Sequence, residues 1–191
     1  MTMAYMLDDI DPQKEIERLE WNHHNILVPM IYHGNFFPEH IQAYLNNLPN
    51  NRPPAVADVG TGTGIWLAEI APKLPSGARL DGFDLVTTKF RTKDKLAANI
   101  RLRQGDILSP FPEELWGQYD VVHVRFLVLA LKAEQWSEAA ANLMTLLRPG
   151  GWLFWEETSI TSWNSIPITK PFYQWMNIAA RFEASKGRDL L

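Results

Sequence analysis

Residues 55–64 read Ala-Val-Ala-Asp-Val-Gly-Thr-Gly-Thr-Gly, a short apolar run that passes through an acid into three glycines at alternate positions. Residues 65–71 continue with apolar side chains at helical spacing. The pattern predicts a buried strand, a tight turn and a helix whose N-terminus faces whatever the turn binds. A Cβ would obstruct both positive φ angles and a ligand pressed against the backbone. We therefore expect Gly60 to begin the turn, Gly62 to admit the ligand and Gly64 to let the helix start close to the strand.

The spacing of these glycines distinguishes two classes of ligand-binding turn. A dinucleotide fingerprint, G-x-G-x-x-G, would need a glycine at position 65, where this chain has Ile65. Here the pattern is G-x-G-x-G, and Asp58 stands two residues before its first glycine. A carboxylate at that place can meet an ammonium, directly or through water, but it would repel a pyrophosphate. The motif therefore favours a cationic, zwitterionic ligand over a dinucleotide.

Residues 58–66, Asp-Val-Gly-Thr-Gly-Thr-Gly-Ile-Trp, resemble the first motif of the class I S-adenosylmethionine (SAM)-dependent methyltransferases, an acid followed by G-x-G-x-G. They look more closely like the methyltransferase-like proteins of fungal secondary metabolism. The resemblance includes Glu20-Trp-Asn-His-His24 upstream and extends to Glu157, so it covers most of the chain. It implies a doubly wound, Rossmann-like α/β sheet of the class I methyltransferase type, an N-terminal helical lid, and SAM as the cofactor.

The chain is expected to divide into three parts of a single, incomplete domain. Residues 1–50 are expected to form the N-terminal helical lid, residues 51–157 the SAM-binding α/β core, and residues 158–191 the start of the acceptor-binding region. The core is expected to contain five strands, with a short helix over residues 89–99 and a fifth strand over residues 152–157.

A class I sheet normally has seven strands, so strands six and seven are expected to be absent. The strand at 152–157 would then be an apolar sheet edge, which invites pairing with another chain. We expect either the C-terminal remainder of the same protein or a second copy to complete the sheet.

Composition excludes several other classes of protein. The chain has 191 residues, 46% of them hydrophobic, which suits one domain with a sizeable core. It contains no cysteine, which excludes disulfides and thiolate catalysis, and its five histidines lack the spacing of a metal-binding motif. With 18 basic and 22 acidic residues, no nucleic-acid partner is expected. No signal peptide or membrane-spanning run is evident, so we expect a soluble, cytoplasmic protein without a membrane partner.

The cofactor residues are expected at the ends of four strands. Asp84 follows Gly64 by 20 residues, the spacing at which a βαβ unit places a carboxylate against both ribose hydroxyls. Leu85 would then contact the adenine. By resemblance, Asp106 accepts from the adenine amino group and the Ile107 N–H meets the ring, although a turn-capping role for Asp106 is equally compatible with the sequence. The full expected set is Asp58, Gly60, Thr61, Gly62, Gly64, Asp84, Leu85, Asp106, Ile107, Val124 and Arg125.

Candidate catalytic residues come from the fourth strand and the lid. His123 and Arg125 share one face of residues 119–125 by the two-residue alternation of a strand. Methyl transfer from a sulfonium needs chiefly in-line proximity and a dry pocket, with a base only for an unionised hydroxyl acceptor. His123, then His33 or His24, are the candidate bases. Arg125 is expected to meet a carboxylate or backbone carbonyls, because a charged arginine is rarely buried without a partner.

Three functions remain open at this point. The first is methyl transfer from SAM to a small-molecule acceptor. The second retains SAM as a fixed positive charge for a pericyclic or dehydration reaction, with His123 as acid and Arg125 as electrostatic stabiliser. The third is a non-catalytic regulatory subunit that retains the fold for protein contact.

Overall fold

All five strands of the central sheet run parallel, in the spatial order β3-β2-β1-β4-β5. The computed structural model describes residues 11–49, 51–158, 167 and 169–188. The strands are β1 (Ala55–Val59), β2 (Arg79–Asp84), β3 (Ile100–Gln104), β4 (Tyr119–Arg125) and β5 (Leu147–Glu156). The chain leaves β1 toward β3 and returns to the other side of β1 with β4. This reversal creates the switch point at which ligands bind in doubly wound sheets, and it confirms the predicted fold class.

Helices cover both faces of the sheet. The α-helices are α1 (Pro12–Asn22), α2 (Glu39–Asn46), α3 (Ile65–Ile70), α4 (Trp136–Leu146) and α5 (Lys170–Ser185), and a π-helical segment, His23–Tyr32, continues α1. Short 3₁₀ helices occupy Ala71–Lys73, Thr87–Lys89, Lys93–Lys95, Glu113–Leu115 and Ala133–Gln135. Within the described ranges, no helix is both long enough and apolar enough to cross a membrane.

The two faces of the sheet pack into two separate cores. On one face, Val56 and Val121 pack with Trp66 of α3 and with apolar side chains of α2. On the other face, Val122 and Val124 pack beneath α4. All five residues of β1 are buried, as expected for a central parallel strand covered on both sides. Polar side chains on the first face, at the ends of β1, β4 and β5, are therefore enclosed by α1, the π-helical segment and α3.

Two sequence predictions in the core are wrong. Residues 89–99 do not form a helix but carry only the 3₁₀ turns Thr87–Lys89 and Lys93–Lys95, because the segment has no apolar face to bury. Its path is instead held by the Arg91 N–H, which donates to the Thr63 carbonyl over 3.1 Å. The fifth strand begins at residue 147 rather than 152, since the Pro-Gly-Gly stretch joins β5 through an irregularity opposite Tyr119 and Val121. Among the described strands, β5 forms one edge of the sheet.

Asp120 connects the beginnings of three strands on the side of the sheet away from the switch point. Its carboxylate is fully buried and accepts from the Ala55 N–H of β1 over 2.9 Å and from Arg148 of β5 over 2.7 Å. Arg52, which precedes β1, donates to the other carboxylate oxygen. A single carboxylate therefore joins β1, β4 and β5 where each one starts.

Removing this carboxylate is expected to lower stability without touching the switch point. Asp120→Ala leaves a buried backbone N–H and two arginines without their acceptor, so the free energy of unfolding should fall by about 2–4 kcal/mol. Chemical denaturation measures the change. Glu114→Ala, at an exposed position of a 3₁₀ turn, is the control and should leave the unfolding midpoint in place. An equal midpoint in both variants would contradict this role for Asp120.

Candidate functional site

The glycine turn after β1 has the backbone that the sequence predicts. Gly60, Gly62 and Gly64 have φ angles of 74°, 59° and 81°. A Cβ at Gly64 would lie 2.9 Å from a methyl carbon of Leu102, so this glycine allows α3 to start close to the sheet. The N–H groups of Gly60 and Thr61 both donate to the Phe83 carbonyl of β2. These bonds hold the turn against the end of the neighbouring strand.

Asp84 lies at the end of β2 and is bonded to the same turn. One carboxylate oxygen accepts from the Gly62 N–H over 2.7 Å, and the other accepts from the Val86 N–H over 2.9 Å. Burial raises the pKa of Asp84, while Lys89 and the two backbone N–H groups oppose this shift. Each oxygen keeps lone-pair capacity beyond its backbone bond. The carboxylate is therefore held in place and can still accept hydrogen bonds from a ligand.

Helix α1 lies directly over the glycine turn. A methyl carbon of Leu19 is 3.3 Å from the position that a Cβ on Gly62 would occupy. On the next residue, Glu20 accepts from Arg91 over 2.8 Å, which ties α1 to the segment after β2. The predicted lid thus has a definite position above the turn, with one apolar and one charged contact.

Asp58 and His123 form a buried pair across β1 and β4, where they are register partners. Asp58 Oδ1 lies 2.7 Å from His123 Nδ1, and Asp58 Oδ2 accepts from the Thr61 hydroxyl over 2.6 Å. The His123 ring is fully buried and stacks on Trp66 with 3.8 Å between ring centroids. Its second nitrogen, Nε2, lies 2.9 Å from Glu156 Oε2 of β5. Both nitrogens of this imidazole are therefore engaged by carboxylates.

A chain of polar contacts continues from Glu156 to the π-helical segment. Tyr32 donates from its hydroxyl to Glu156 Oε2 over 2.7 Å, and Arg125 donates to the Tyr32 oxygen over 2.9 Å. The Arg125 guanidinium also lies 3.4–3.5 Å from His23 Nδ1. The expectation that Arg125 meets a carboxylate or backbone carbonyls is therefore wrong, since its neighbours are a phenol and an imidazole. Burial raises the pKa of Tyr32 above its ordinary value, so the hydroxyl keeps its proton.

The other candidate bases lie in different surroundings from His123. His24 has a half-exposed side chain with its Nδ1 4.0 Å from a Glu69 oxygen. His33 is exposed, has a left-handed backbone with φ of 47°, and borders a groove beside Tyr32 and Glu156. His23, next to His24 in sequence, is fully buried beside Arg125. The structure thus brings His123 and Arg125 together through Tyr32 and Glu156, but places His24 elsewhere.

The remaining residues that were expected to bind the cofactor differ in which of their groups are exposed and which are already bonded. Leu85 is 47% exposed directly after β2, where an apolar ligand surface could cover it. Val124 points its side chain into the core beneath α4, so only its backbone faces the strand ends. Asp106 accepts from the Leu108 N–H over 2.9 Å, as a turn cap does. The Ile107 carbonyl accepts from Asn142 of α4 over 2.9 Å, and its side chain packs with the core beneath α4.

Three site residues were missed by the sequence reasoning: Tyr32, Glu156 and Glu157. Glu157 accepts from the Leu127 and Val128 N–H groups over 2.8 and 3.1 Å, directly after β4. These bonds hold a turn in which Phe126 has a φ of 59°, an uncommon angle for a residue with a side chain. Such strain is often found at functional sites. The sequence does contain a signal for Glu156 and Glu157, because the end of an apolar strand is an unusual position for two consecutive acidic residues.

No cluster of three or more metal-ligating side chains is present in the part of the chain that the structure describes.

Comparisons with known proteins agree on one family. A model of a methyltransferase domain matches residues 56–151. The methyltransferase grgD of Penicillium sp is 44% identical over 142 residues, which cover 71% of this chain and 49% of that protein. The N-methyltransferase tcpN of Claviceps purpurea is 33% identical over 99 residues, which cover 51% of this chain and 35% of that protein. The chain spans about half or less of the length of these relatives.

A solved structure shows the same fold. The plantazolicin methyltransferase BpumL, in complex with S-adenosylhomocysteine (SAH), matches with a TM-score of 0.61 at 20% identity. The match covers 80% of this chain and 56% of that one. At this identity the likeness concerns the fold alone.

The buried His23 is expected to make stability depend on pH. Burial, together with the nearby Arg125 charge, lowers the pKa of His23 from 6.5 to about 3. The unfolded chain therefore binds more protons than the folded chain between these values, and the free energy of unfolding should fall as the pH drops below 6.5. The slope of this contribution approaches about 1.4 kcal/mol per pH unit for one proton.

Denaturation of the native chain and of His23→Gln between pH 7 and 5 measures this dependence. The variant should lose the slope that His23 contributes. His24→Gln, at the neighbouring half-exposed position, is the control and should keep the native slope. Equal slopes in all three proteins would show that His23 takes up protons in the folded state as readily as in the unfolded state.

Proposed function

The chain belongs to the family of methyltransferase domains, and on that premise we propose that it transfers the methyl group of SAM to a small-molecule acceptor. The observation that carries the proposal is the pairing of the glycine turn with Asp84. The turn and the carboxylate lie at adjacent strand ends, are joined by the Gly62 N–H, and are covered by α1. This is the place where a doubly wound sheet binds a nucleoside.

The residues at the turn fit SAM in their chemistry. The three glycines allow the positive φ angles of a tight turn, and the acidic side chains Asp58 and Asp84 flank it. His23 adds an unused donor, because its Nε2 is buried and has no hydrogen-bond partner among the described residues. Two acids suit a ligand with hydroxyl and ammonium groups, whereas they would repel a pyrophosphate.

Each residue of the turn can be given a role toward SAM. Asp84 would accept from the ribose hydroxyls, and Leu85 would cover the adenine with its exposed side chain. Asp58 would face the ammonium, directly or through water, while Thr61 and His123 hold its carboxylate in one orientation. When bound, SAM supplies a methyl group on a sulfonium, which is an electrophile with a good leaving group. The chain then needs to bring the acceptor into line and keep water out.

His123 acts in this proposal as a positioning residue. Both of its ring nitrogens contact carboxylates, and the ring is fully buried under Trp66. A general base has to come within hydrogen-bond distance of the proton it removes. Since neither nitrogen is available to an acceptor in this arrangement, His123 would instead orient Asp58 toward SAM and Glu156 toward the acceptor.

The ribose assignment predicts the effect of removing one carboxylate. Asp84→Ala should weaken binding of SAH at least about tenfold, because charge-assisted hydrogen bonds contribute about 1.5–3 kcal/mol and about 1.4 kcal/mol corresponds to one decade. Calorimetric titration with SAH measures this change. Asp94→Ala, an exposed acid in the segment after β2, is the control and should bind SAH as the native chain does. Unchanged affinity in a folded Asp84→Ala protein would remove the basis for this site.

A labelled methyl group separates transfer from the other chemistry that a bound sulfonium can promote. With SAM deuterated in its methyl group and an extract of the source cells, the product should carry one labelled methyl group and SAH should accumulate in equal amount. Mass spectrometry of the mixture measures both. An unlabelled product formed without SAH would contradict methyl transfer, and its mass would equal that of the substrate for a pericyclic isomerisation or be lower by one water for a dehydration.

A further inference from the structure

A groove of about 740 Å³ lies between the end of the π-helical segment, α2 and the end of β5. Ile31, Phe36, Phe37 and Phe154 give it apolar walls. Two carboxylates border it, Glu156 at the end of β5 and the exposed Glu39 at the start of α2. This volume is within the range of small-molecule sites, which combine apolar walls with a few placed polar groups. The groove is therefore a candidate acceptor site, and Glu156 is the partly buried carboxylate on its sheet side.

One oxygen of the Glu156 carboxylate, Oε2, is held by neighbouring groups, and the other, Oε1, is open to a ligand. Oε2 receives the Tyr32 hydroxyl over 2.7 Å and lies 2.9 Å from His123 Nε2. No hydrogen bond reaches Oε1 from any residue that the structure describes, and the side chain is 18% exposed. A ligand in the groove can therefore meet Oε1 without displacing an existing contact.

The groups that hold Oε2 are themselves immobilised. His123 is fully buried, contacts Asp58 on its other side and stacks on Trp66. Tyr32 is buried and receives a hydrogen bond from Arg125. A charge held in this way needs little reorganisation when a ligand arrives, which is the condition for strong electrostatic stabilisation.

The carboxylate also lies at the correct end of the sheet. Glu156 is the register partner of Arg125, so it stands at the same end as the glycine turn that follows β1. β4 is the one strand between β1 and β5, and neighbouring strands are about 4.8 Å apart, so the groove begins roughly 10 Å from the turn. Asp58 and Glu156 thus serve adjacent sites and are joined by one imidazole.

We propose that Glu156 is the acceptor-binding residue of this site, and that the acceptor is an amine on an apolar body whose N–H donates to Oε1. The inference rests on the proposed function, because it assigns the second substrate of the same reaction. An anionic acceptor would be repelled by this carboxylate, and a purely apolar one would leave it desolvated without a partner.

An amine acceptor, once neutral, needs no base for the transfer itself. The lone pair of a neutral amine forms the bond to the methyl carbon, and the carbon–sulfur bond breaks with its electron pair remaining on sulfur. The positive charge thereby moves from sulfur to nitrogen. An amine that binds as the ammonium first releases one proton to water, and the neutral amine then reacts. Glu156, hydrogen-bonded to that nitrogen, stabilises the charge as it develops.

The test uses 2-phenylethylamine as a cationic probe with an apolar body, and 2-phenylethanol as its neutral counterpart. Calorimetric or NMR titrations are made with the chain saturated with SAH. The native chain should bind the amine at least about tenfold more tightly than the alcohol. Glu156→Gln, which retains the size of the side chain, should lose most of that preference while keeping SAH affinity within about threefold.

Glu138→Gln provides the matched control, because Glu138 is exposed on α4, the helix of the opposite face. It should bind amine and alcohol as the native chain does. Equal binding of the two probes to the native chain, or an unchanged preference in Glu156→Gln, would overturn the inference while leaving SAH binding intact. Failure of SAH to bind the native chain would instead count against the proposed function. If Glu156→Gln does not fold, Glu39→Gln decides the question, because the amine preference should persist in that variant and its loss there would overturn the inference.

Discussion

The contact between Asp58 and His123 is the interaction on which the rest of the site depends. It joins β1 to β4 at the switch point of the sheet, with 2.7 Å between an oxygen and a ring nitrogen that are both buried. Burying a carboxylate or an imidazole without a partner costs free energy. The contact between them therefore offsets the cost of burying both groups. Because the imidazole has a second nitrogen, the same contact also determines where Glu156 stands. In our account, the cofactor site and the acceptor site thereby lie one on each side of β4 and share this buried ring.

Burial of these polar groups also explains the shape of the N-terminal part. α1 contacts the glycine turn through Leu19 and Glu20, and the π-helical segment that follows brings His23 and Tyr32 to Arg125. The lid thus contributes to the site rather than only covering it. Its two ends belong to different substrates in our account, because α1 lies over the cofactor turn while Tyr32 fixes the carboxylate of the acceptor groove. Closure over the cofactor and alignment of the acceptor are therefore functions of one continuous helical segment.

The parts of this arrangement that could be predicted from sequence are those set by local rules. Glycine spacing and strand length predict the turn and the position of Asp84, because both depend only on residues close in sequence. The position of Tyr32 could not be predicted, since it meets Glu156 across 124 residues. Strand alternation correctly places His123 and Arg125 on one face, but whether that face is open depends on how Trp66 packs. The prediction of a helix over residues 89–99 was wrong, because local helix propensity without an apolar face to bury does not make a stable helix.

Amide hydrogen exchange with and without SAH tests the central claim most directly, that the glycine turn under α1 is the cofactor site. If the claim is correct, saturating SAH slows exchange in residues 60–64, in residues 84–86 and along α1 as far as His23. The start of β4, where Asp120 is buried at the opposite end of the strands, should exchange at the same rate in both states. Protection that leaves the turn and α1 unchanged, or no protection anywhere, would contradict the account.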